Sequence, residues 1–213
     1  MIRPTLTEAI GTYFLILAVV LCVNNPHLGV LTPFPIVATL VSLIYAGGPI
    51  SRAHYNPVVS LVFWLSGELK TSHLLPFIAA QILAGILAVW TSVFLLVEAE
   101  WLTVALGDFT DHLLAGILAE TLGTFALVFV ILQVAIGKAG GKNDYYGVAI
   151  GLSVLGSAYA LGGFTGGIFN PAVAISAVTA GMLPLKLLIW VLLGNLLGSL
   201  LAWVFFRWTH GQD

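Results

Sequence analysis

Charged residues are scarce in this chain. Of its 213 residues, 7 are Lys or Arg and 9 are Asp or Glu, so that 8% of the sequence is charged and 60% is hydrophobic. An average soluble domain has about 25% charged residues. The composition therefore excludes an ordinary soluble domain and indicates a protein of the lipid bilayer. The few basic residues form no run that could neutralise a phosphate backbone, which excludes nucleic acid as a partner.

Cysteine is almost absent as well. Cys22 is the only one in the sequence, so the chain cannot form an internal disulfide. No set of Cys and His residues has the spacing of zinc ligands. No nucleophile stands beside a base or a metal cluster. We therefore predict a protein that is not an enzyme and that needs no metal and no cofactor.

What the chain has in abundance is long hydrophobic runs. A helix needs roughly 20 residues to cross a bilayer, and six runs approach that length: 5–23, 34–48, 74–97, 113–136, 145–161 and 184–207. The first run could be a secretory signal, but Glu8 and Thr12 interrupt its core and no small-residue cleavage site follows it. We interpret it as a retained helix. The sequence thus predicts an all-α membrane protein with six transmembrane helices.

The distribution of basic residues predicts the orientation of these spans. Loops that stay in the cytoplasm carry an excess of Lys and Arg. If the N-terminus is cytoplasmic, Lys186 alone falls outside, and six basic residues fall inside: Arg3, Arg52, Lys70, Lys138, Lys142 and Arg207. We therefore expect a multi-pass protein of the cell membrane (an inner or plasma membrane) with both termini in the cytoplasm.

The sequence contains a duplication. Residues 8–12 (EAIGT) recur as residues 120–124 (ETLGT), residues 56–58 (NPV) as 170–172 (NPA), and residues 81–85 (QILAG) as 195–199 (NLLGS). Each copy holds three spans, and because three is odd, the second copy enters the membrane from the opposite face. We predict one structural domain made of two inverted repeats, 1–107 and 108–213. We expect four repeated glycines to allow close contact between helices: Gly11, Gly85, Gly123 and Gly198.

Two apolar segments, 51–64 and 165–179, occupy corresponding places in the repeats and are too short to cross. Pro57 and Pro171 suit the first turn of a helix, and Asn56 and Asn170 are natural caps directly before them. We predict two half-helices that begin near the membrane centre with their positive dipole ends facing each other. A pore at this point repels cations and protons, whereas water or a neutral hydroxylated solute can accept hydrogen bonds from the two amides.

Over its whole length the sequence resembles the aquaporin and aquaglyceroporin family, the major intrinsic proteins. The resemblance rests on the Glu-x-x-Gly-Thr openings and on the boxes formed by Asn56, Pro57 and Val58 and by Asn170, Pro171 and Ala172. It implies six helices and two half-helices in a right-handed bundle, assembled as a homotetramer with one pore per subunit. It also implies three site roles: Glu8 and Glu120 bind the backbone of the half-helix loops, and His54 lines the pore.

Two residues depart from the family pattern. Val58 stands where the family usually has Ala, and Val173 stands where an Arg usually completes the narrow outer filter. By counting along the motifs we assign the filter to four small or aliphatic residues: Ile36, Ala158, Gly167 and Val173. Such a filter is wide and apolar, which favours water together with glycerol-like polyols and neutral metalloid acids such as arsenous acid. A water-selective aquaporin is the alternative.

Other interpretations of the same residues stay open. Inverted repeats with broken helices also occur in coupled secondary transporters, where Glu8 and Glu120 would form a proton relay rather than structural ties. Asn56 and Asn170 could be simple caps without a role in a pore, and His54 could be a packing residue. A structural junction protein with a vestigial pore is a further alternative.

Overall fold

The computed structural model describes residues 2–98, 104–137 and 143–211. In this part of the chain the α-helices are α1 (Ile2–Val23), α2 (Pro33–Ser51), α3 (Pro57–Leu65), α4 (Thr71–Glu98), α5 (Leu113–Ile131), α6 (Tyr146–Thr165), α7 (Pro171–Thr179) and α8 (Leu185–His210). Lys138 and Lys142, which contribute to the predicted orientation, lie outside the described residues.

Six of these helices are long and apolar enough to cross a membrane: α1, α2, α4, α5, α6 and α8. The six predicted spans are therefore confirmed, and five of the six helices extend a few residues beyond the predicted bounds. Helix α2 continues past Gly48 and Pro49 to Ser51, and α6 continues past Leu161 to Thr165. Proline and glycine do not end these helices, because neighbouring helices and side chains compensate for lost backbone hydrogen bonds within a membrane bundle.

Successive spans run in opposite directions, so both ends of the described chain lie on one side of the bundle. We call this side, which holds Ile2 and His210, the terminal face. The opposite side, which holds Val23 and Pro33, is the far face. Half-helix α3 returns to the terminal face, and α7 returns to the far face.

The two halves of the chain pack in matching pairs. Helix α1 packs on α2 and α4, and its counterpart α5 packs on α6 and α8. Each half-helix contacts a long helix of both halves: α3 contacts α4 and α8, and α7 contacts α8 and α4. The halves are thus an inverted repeat whose half-helices interlock.

A small residue permits close helix contact in this bundle. A Cβ atom on Gly198 of α8 would lie 2.3 Å from the carbonyl oxygen of Thr121 in α5, so only a glycine fits there. Gly11 and Gly123 have a different role from the helix contact that we expected. A Cβ on Gly11 would lie 2.0 Å from the Tyr55 ring, which belongs to the loop before α3 and not to a helix.

The hydrophobic pattern of the sequence does not predict one feature of the fold. Helix α5 continues into a π-helical turn, Leu132–Ile136, at the terminal face. The side-chain amide of Asn143 donates a hydrogen bond of 3.0 Å to the carbonyl oxygen of Val134 in this turn. A wider turn exposes backbone carbonyls, and here one of them is bound by a side chain from the following loop.

Candidate functional site

Both half-helices begin with the same cap. The Asn56 side-chain oxygen accepts a hydrogen bond from the Val58 N–H at 3.1 Å, and the Asn170 oxygen accepts one from the Ala172 N–H at 2.9 Å. Both asparagines have extended backbones, with φ at −155°. A proline follows each of them at the first helical position, where its missing N–H removes no intrahelical bond.

The two caps also hold each other's loops. The Asn56 side-chain nitrogen donates to the carbonyl oxygen of Phe169 at 3.0 Å, and the Asn170 nitrogen donates to the carbonyl oxygen of Tyr55 at 2.9 Å. Each amide nitrogen carries two N–H groups, and each of these bonds uses one of them. The half-helices therefore start side by side, joined by two reciprocal hydrogen bonds.

Glu8 supports the loop before α3. Its carboxylate accepts hydrogen bonds from the backbone N–H groups of His54 at 3.0 Å and Tyr55 at 2.7 Å. It also accepts from the Ser51 hydroxyl at 2.6 Å and from the Gln81 amide at 2.9 Å. Glu8 has no exposed surface, and these four donors offset the cost of burying its carboxylate.

Glu120 supports the loop before α7 in the same way. Its carboxylate accepts from the backbone N–H groups of Ile168 at 3.1 Å and Phe169 at 2.8 Å. The carboxylate also accepts hydrogen bonds from the Thr165 hydroxyl at 2.5 Å and from the Asn195 amide at 2.6 Å. The inverted repeat thus extends to individual hydrogen bonds, and both carboxylates face loop backbone.

An aromatic residue in each loop adopts an unusual backbone conformation. Tyr55 and Phe169 both have φ at +47°, in the left-handed region that side chains other than glycine rarely occupy. Their rings lie against Gly11 and Gly123, where a Cβ atom would lie 2.0 Å and 2.1 Å from the ring carbons. The strained backbone is maintained by the carboxylate bonds to the N–H groups of these same two residues.

His54 is one of the residues at which the two loops differ. It is 5% exposed, its Nδ1 atom lies 3.1 Å from the Ser60 hydroxyl, and its Nε2 atom has no protein partner. The Ser60 oxygen in turn accepts a hydrogen bond from Gln81 at 3.0 Å. At the matching position of the second repeat stands Ile168, which has no polar side-chain atom.

A cavity of about 670 Å³ passes beside the starts of both half-helices and is lined by Asn56, Asn170 and His54. At its far-face end the lining includes Thr32 and Leu106. At its terminal-face end the lining includes Asn143, Asp144 and Arg52. Among the described residues that line it, Arg52 and Asp144 are the charged ones. The cavity therefore extends from one face of the bundle to the other, and its charged side chains stand at one end.

All four residues that the sequence assigns to a filter line this cavity: Ile36, Ala158, Gly167 and Val173. A Cβ atom on Gly167 would lie 3.5 Å from the Cα of Ala158, so the wall at this point is backbone packed on backbone. No long or charged side chain occupies these four positions. These four residues consequently contribute no polar side-chain atom to the lining.

The remaining residues of the predicted site stand behind the cavity wall. Four residues of the two boxes are buried and are not part of its lining: Pro57, Val58, Pro171 and Ala172. Glu8 and Glu120 are buried and do not line it either. This placement gives the two carboxylates no direct contact with a molecule in the cavity.

Four partners of the glutamates were missed by the motif reasoning. Ser51 and Thr165 end the helices before the loops, while Gln81 and Asn195 lie on the third span of each repeat. Both pairs are separated by the same number of residues as Asn56 and Asn170. A polar residue that recurs in register within an apolar span was the available signal.

Comparisons with a family model and with individual proteins agree on one family. Residues 1–202 match the family model described as "Major intrinsic protein". Aquaporin-8 of Rattus norvegicus is 30% identical over 100% of this chain and 83% of its own length. Aquaporin AqpM of Methanothermobacter thermautotrophicus is 29% identical over 81% of this chain and 74% of its own length.

A solved structure shares the fold. The X-ray structure of the aquaglyceroporin from Plasmodium falciparum superimposes with a TM-score of 0.78 and covers 96% of this chain and 95% of that one. The two sequences are 19% identical over this alignment. At that identity the likeness concerns the arrangement of helices and half-helices.

Proposed function

This chain belongs to the major intrinsic protein family, and we propose that it is a passive membrane channel for water and small uncharged solutes. The observation that carries the proposal is a cavity lined by the caps of both half-helices and by four aliphatic or small residues, Ile36, Ala158, Gly167 and Val173. A solute of few atoms fits such a space. Among the described lining residues, the charged side chains, Arg52 and Asp144, stand at the terminal-face end, so the part of the lining between the two faces offers no charged group for coupling to an ion gradient.

We propose that Asn56 and Asn170 provide the central binding groups of the pore. Each amide uses one N–H on the opposite loop, which leaves a second N–H for a permeating molecule. The N-terminal ends of α3 and α7 each contribute roughly half a positive charge at this point. A neutral oxygen that accepts hydrogen bonds is therefore favoured, and a cation is repelled. His54 adds a third polar group toward the terminal face.

We further propose that Ile36, Ala158, Gly167 and Val173 form a wide filter. An Arg at the position of Val173 would add a fixed charge and several donors, and valine adds neither. The resulting constriction suits polyols of the glycerol type and neutral metalloid acids such as arsenous acid, which resemble polyols in size and in hydroxyl display.

The cellular arrangement is part of the same proposal. Residues 1–107 and 108–213 are the two repeats of one structural domain, and the protein is a homotetramer in the cell membrane. The terminal face is cytoplasmic, as the basic residues indicate. Cross-linking of the purified protein, together with its mass in detergent, tests the tetramer. Labelling of a cysteine introduced at exposed Leu31 on the far face tests the orientation.

Stopped-flow light scattering on proteoliposomes tests the function. After a shock with an impermeant sugar, we expect shrinkage much faster than in protein-free liposomes. After a shock with glycerol, we expect fast reswelling. Shrinkage without reswelling would establish the water-selective alternative and refute the wide filter. Flux that depends on a proton or ion gradient would favour a coupled transporter.

The Val173→Arg variant tests the filter directly. We expect it to lose glycerol reswelling and to retain rapid water flux, because the new side chain narrows the constriction. Leu31→Arg is the matched control, because it adds the same cation on the same face at a residue that is 55% exposed and outside the cavity lining. Equal glycerol flux in wild type and Val173→Arg would place the constriction elsewhere.

A further inference from the structure

A short segment of the loop between α4 and α5 lies against the far-face end of the pore. We call residues 104–109 the far-face strap. Leu106 of this strap lines the cavity, together with Thr32, Ile36 and Gly167. The sequence motifs assign no role to this loop.

The backbone of the strap is bound at two points. The Val104 N–H donates to the side-chain oxygen of Asn24 at 2.5 Å, and the Leu106 N–H donates to the carbonyl oxygen of Met182 at 2.9 Å. Asn24 is 3% exposed, and its side-chain nitrogen donates to the carbonyl oxygen of Val20 at 2.7 Å. A buried amide that binds backbone on both sides fixes the strap to the end of α1.

Two side chains of the strap, those of Leu106 and Phe109, pack against glycines. Gly166 has φ at +90°, and a Cβ atom there would lie 2.8 Å from the Cβ of Leu106, so a larger residue would displace this leucine. At the end of the strap, Phe109 is buried against Gly116, where a Cβ would lie 2.2 Å from its ring. Leu106 is therefore seated on the residue that directly precedes the filter residue Gly167.

The ionic contact of the strap is weaker. Asp108 lies 3.8 Å from the Lys186 ammonium, and both side chains are more than half exposed. Hydrogen bonds from Thr110 hold the pKa of Asp108 below its usual value, so this carboxylate is ionised at neutral pH. Exposed pairs of this kind contribute little. The position of Leu106 consequently depends on the hydrogen bonds of the strap backbone and on the packing of the strap against glycines.

We propose that Leu106 is a further specificity-determining residue of the pore, and that Asn24 is the residue that positions it. Leu106 adds a fixed branched apolar wall to a filter made of aliphatic and small residues, so it limits the size of the polyol that passes. The inference rests on the proposed function as a neutral-solute channel and names the group that sets its upper size limit.

The test compares uptake of glycerol with uptake of four- and five-carbon polyols in proteoliposomes. We expect Leu106→Ala to raise the ratio of larger-polyol flux to glycerol flux by at least about tenfold, the lower end of what one methylene does in an apolar pocket. Asn24→Leu should shift the same ratio in the same direction. The ratio does not depend on how many copies are folded, so a purely structural defect leaves it unchanged. Leu31→Ala is the control on the same face and should match wild type.

A thiol experiment covers the case in which Leu106→Ala does not fold. Cys22 is the only cysteine, so Leu106→Cys on a Cys22→Ser background carries one reactive position on the strap. We expect a bulky methanethiosulfonate reagent to reduce glycerol flux several-fold in this variant and to leave Leu31→Cys on the same background unaffected.

The outcomes separate the two proposals. Wild-type protein that conducts neither water nor glycerol would refute the proposed function. Wild-type protein that conducts glycerol, with an unchanged polyol ratio in Leu106→Ala or unchanged flux after modification of Leu106→Cys, would refute the role of Leu106 and leave the channel intact.

Discussion

Replacing Glu120 by alanine removes the carboxylate that accepts hydrogen bonds from four buried donors. These are the Thr165 hydroxyl, the Asn195 amide and the N–H groups of Ile168 and Phe169. Glu120 has no exposed surface and does not line the cavity. We expect this variant to be severely destabilised.

The magnitude follows from the number of donors that lose their acceptor. The Asn195 amide keeps its second N–H on the Thr124 hydroxyl at 3.1 Å, so we leave Asn195 out of the count, and at least three donors remain uncompensated. A buried donor without a partner costs about 1 to 3 kcal/mol, which gives about 3 to 9 kcal/mol in total. A chain of this size loses about 2 to 4 °C in Tm per kcal/mol. The expected loss in Tm is therefore at least about 6 °C.

The assay is thermal unfolding of the purified protein in a mild detergent, followed by tryptophan fluorescence. Leu118→Ala is the matched control, because it shortens a side chain of the same helix that is 53% exposed on the outside of the bundle. Glu120→Gln should fall between the two, since its amide keeps one acceptor oxygen and presents an N–H group to the remaining donors.

Because of the inverted repeat, the same prediction applies to Glu8, the counterpart of Glu120. Glu8 also has four donors, and Gln81 keeps a second bond, to Ser60, when Glu8 is removed. Glu8→Ala and Glu120→Ala should therefore lower the Tm by similar amounts. A Glu120→Ala protein that melts within about 2 °C of Leu118→Ala would refute the reasoning, taking about 2 °C per kcal/mol.

Two further predictions concern the aromatic residues of the loops. Gly123→Ala places a Cβ atom 2.1 Å from the Phe169 ring and should lower stability by about 1 to 3 kcal/mol, measured by thermal unfolding; a Tm equal to wild type would show that the ring has room to move. Tyr55→Phe removes a hydrogen bond of 3.0 Å to the carbonyl oxygen of Leu43, at a cost of about 0.5 to 1.5 kcal/mol. Its water flux in proteoliposomes should equal wild type, because Phe169 already performs the same packing in the second repeat without a hydroxyl.

Much of this fold was predictable because its signals are local or repeated. Apolar runs of the right length predicted all six spans, and an Asn followed by Pro at one spacing predicted both half-helix starts. Because the repeats are in register, the equivalence of Glu8 and Glu120 could be predicted from sequence as well. Helix ends were less accurate, since the Gly48–Pro49 pair suggested an end that packing in the bundle overrides.

The features that escaped prediction depend on residues far apart in the chain. Gly11 was expected to let helices approach, but it gives room to the ring of Tyr55. The positive φ of Tyr55 and Phe169 contradicts the ordinary preference of aromatic residues and is held by carboxylates more than 40 residues away. The contact of Leu106 with the pore depends on Asn24 and Met182, neither of which has a motif beside it.

The reciprocal bonds between the caps have a consequence for biosynthesis. The carbonyl oxygen of Tyr55 is bound by Asn170, and the amide of Asn56 is bound to Phe169, so the first loop is completed by residues more than 100 positions later. During translation the first repeat leaves the ribosome well before the second. The first repeat therefore enters the membrane before its central loop can form these hydrogen bonds. The loop is completed only when the second repeat has been inserted.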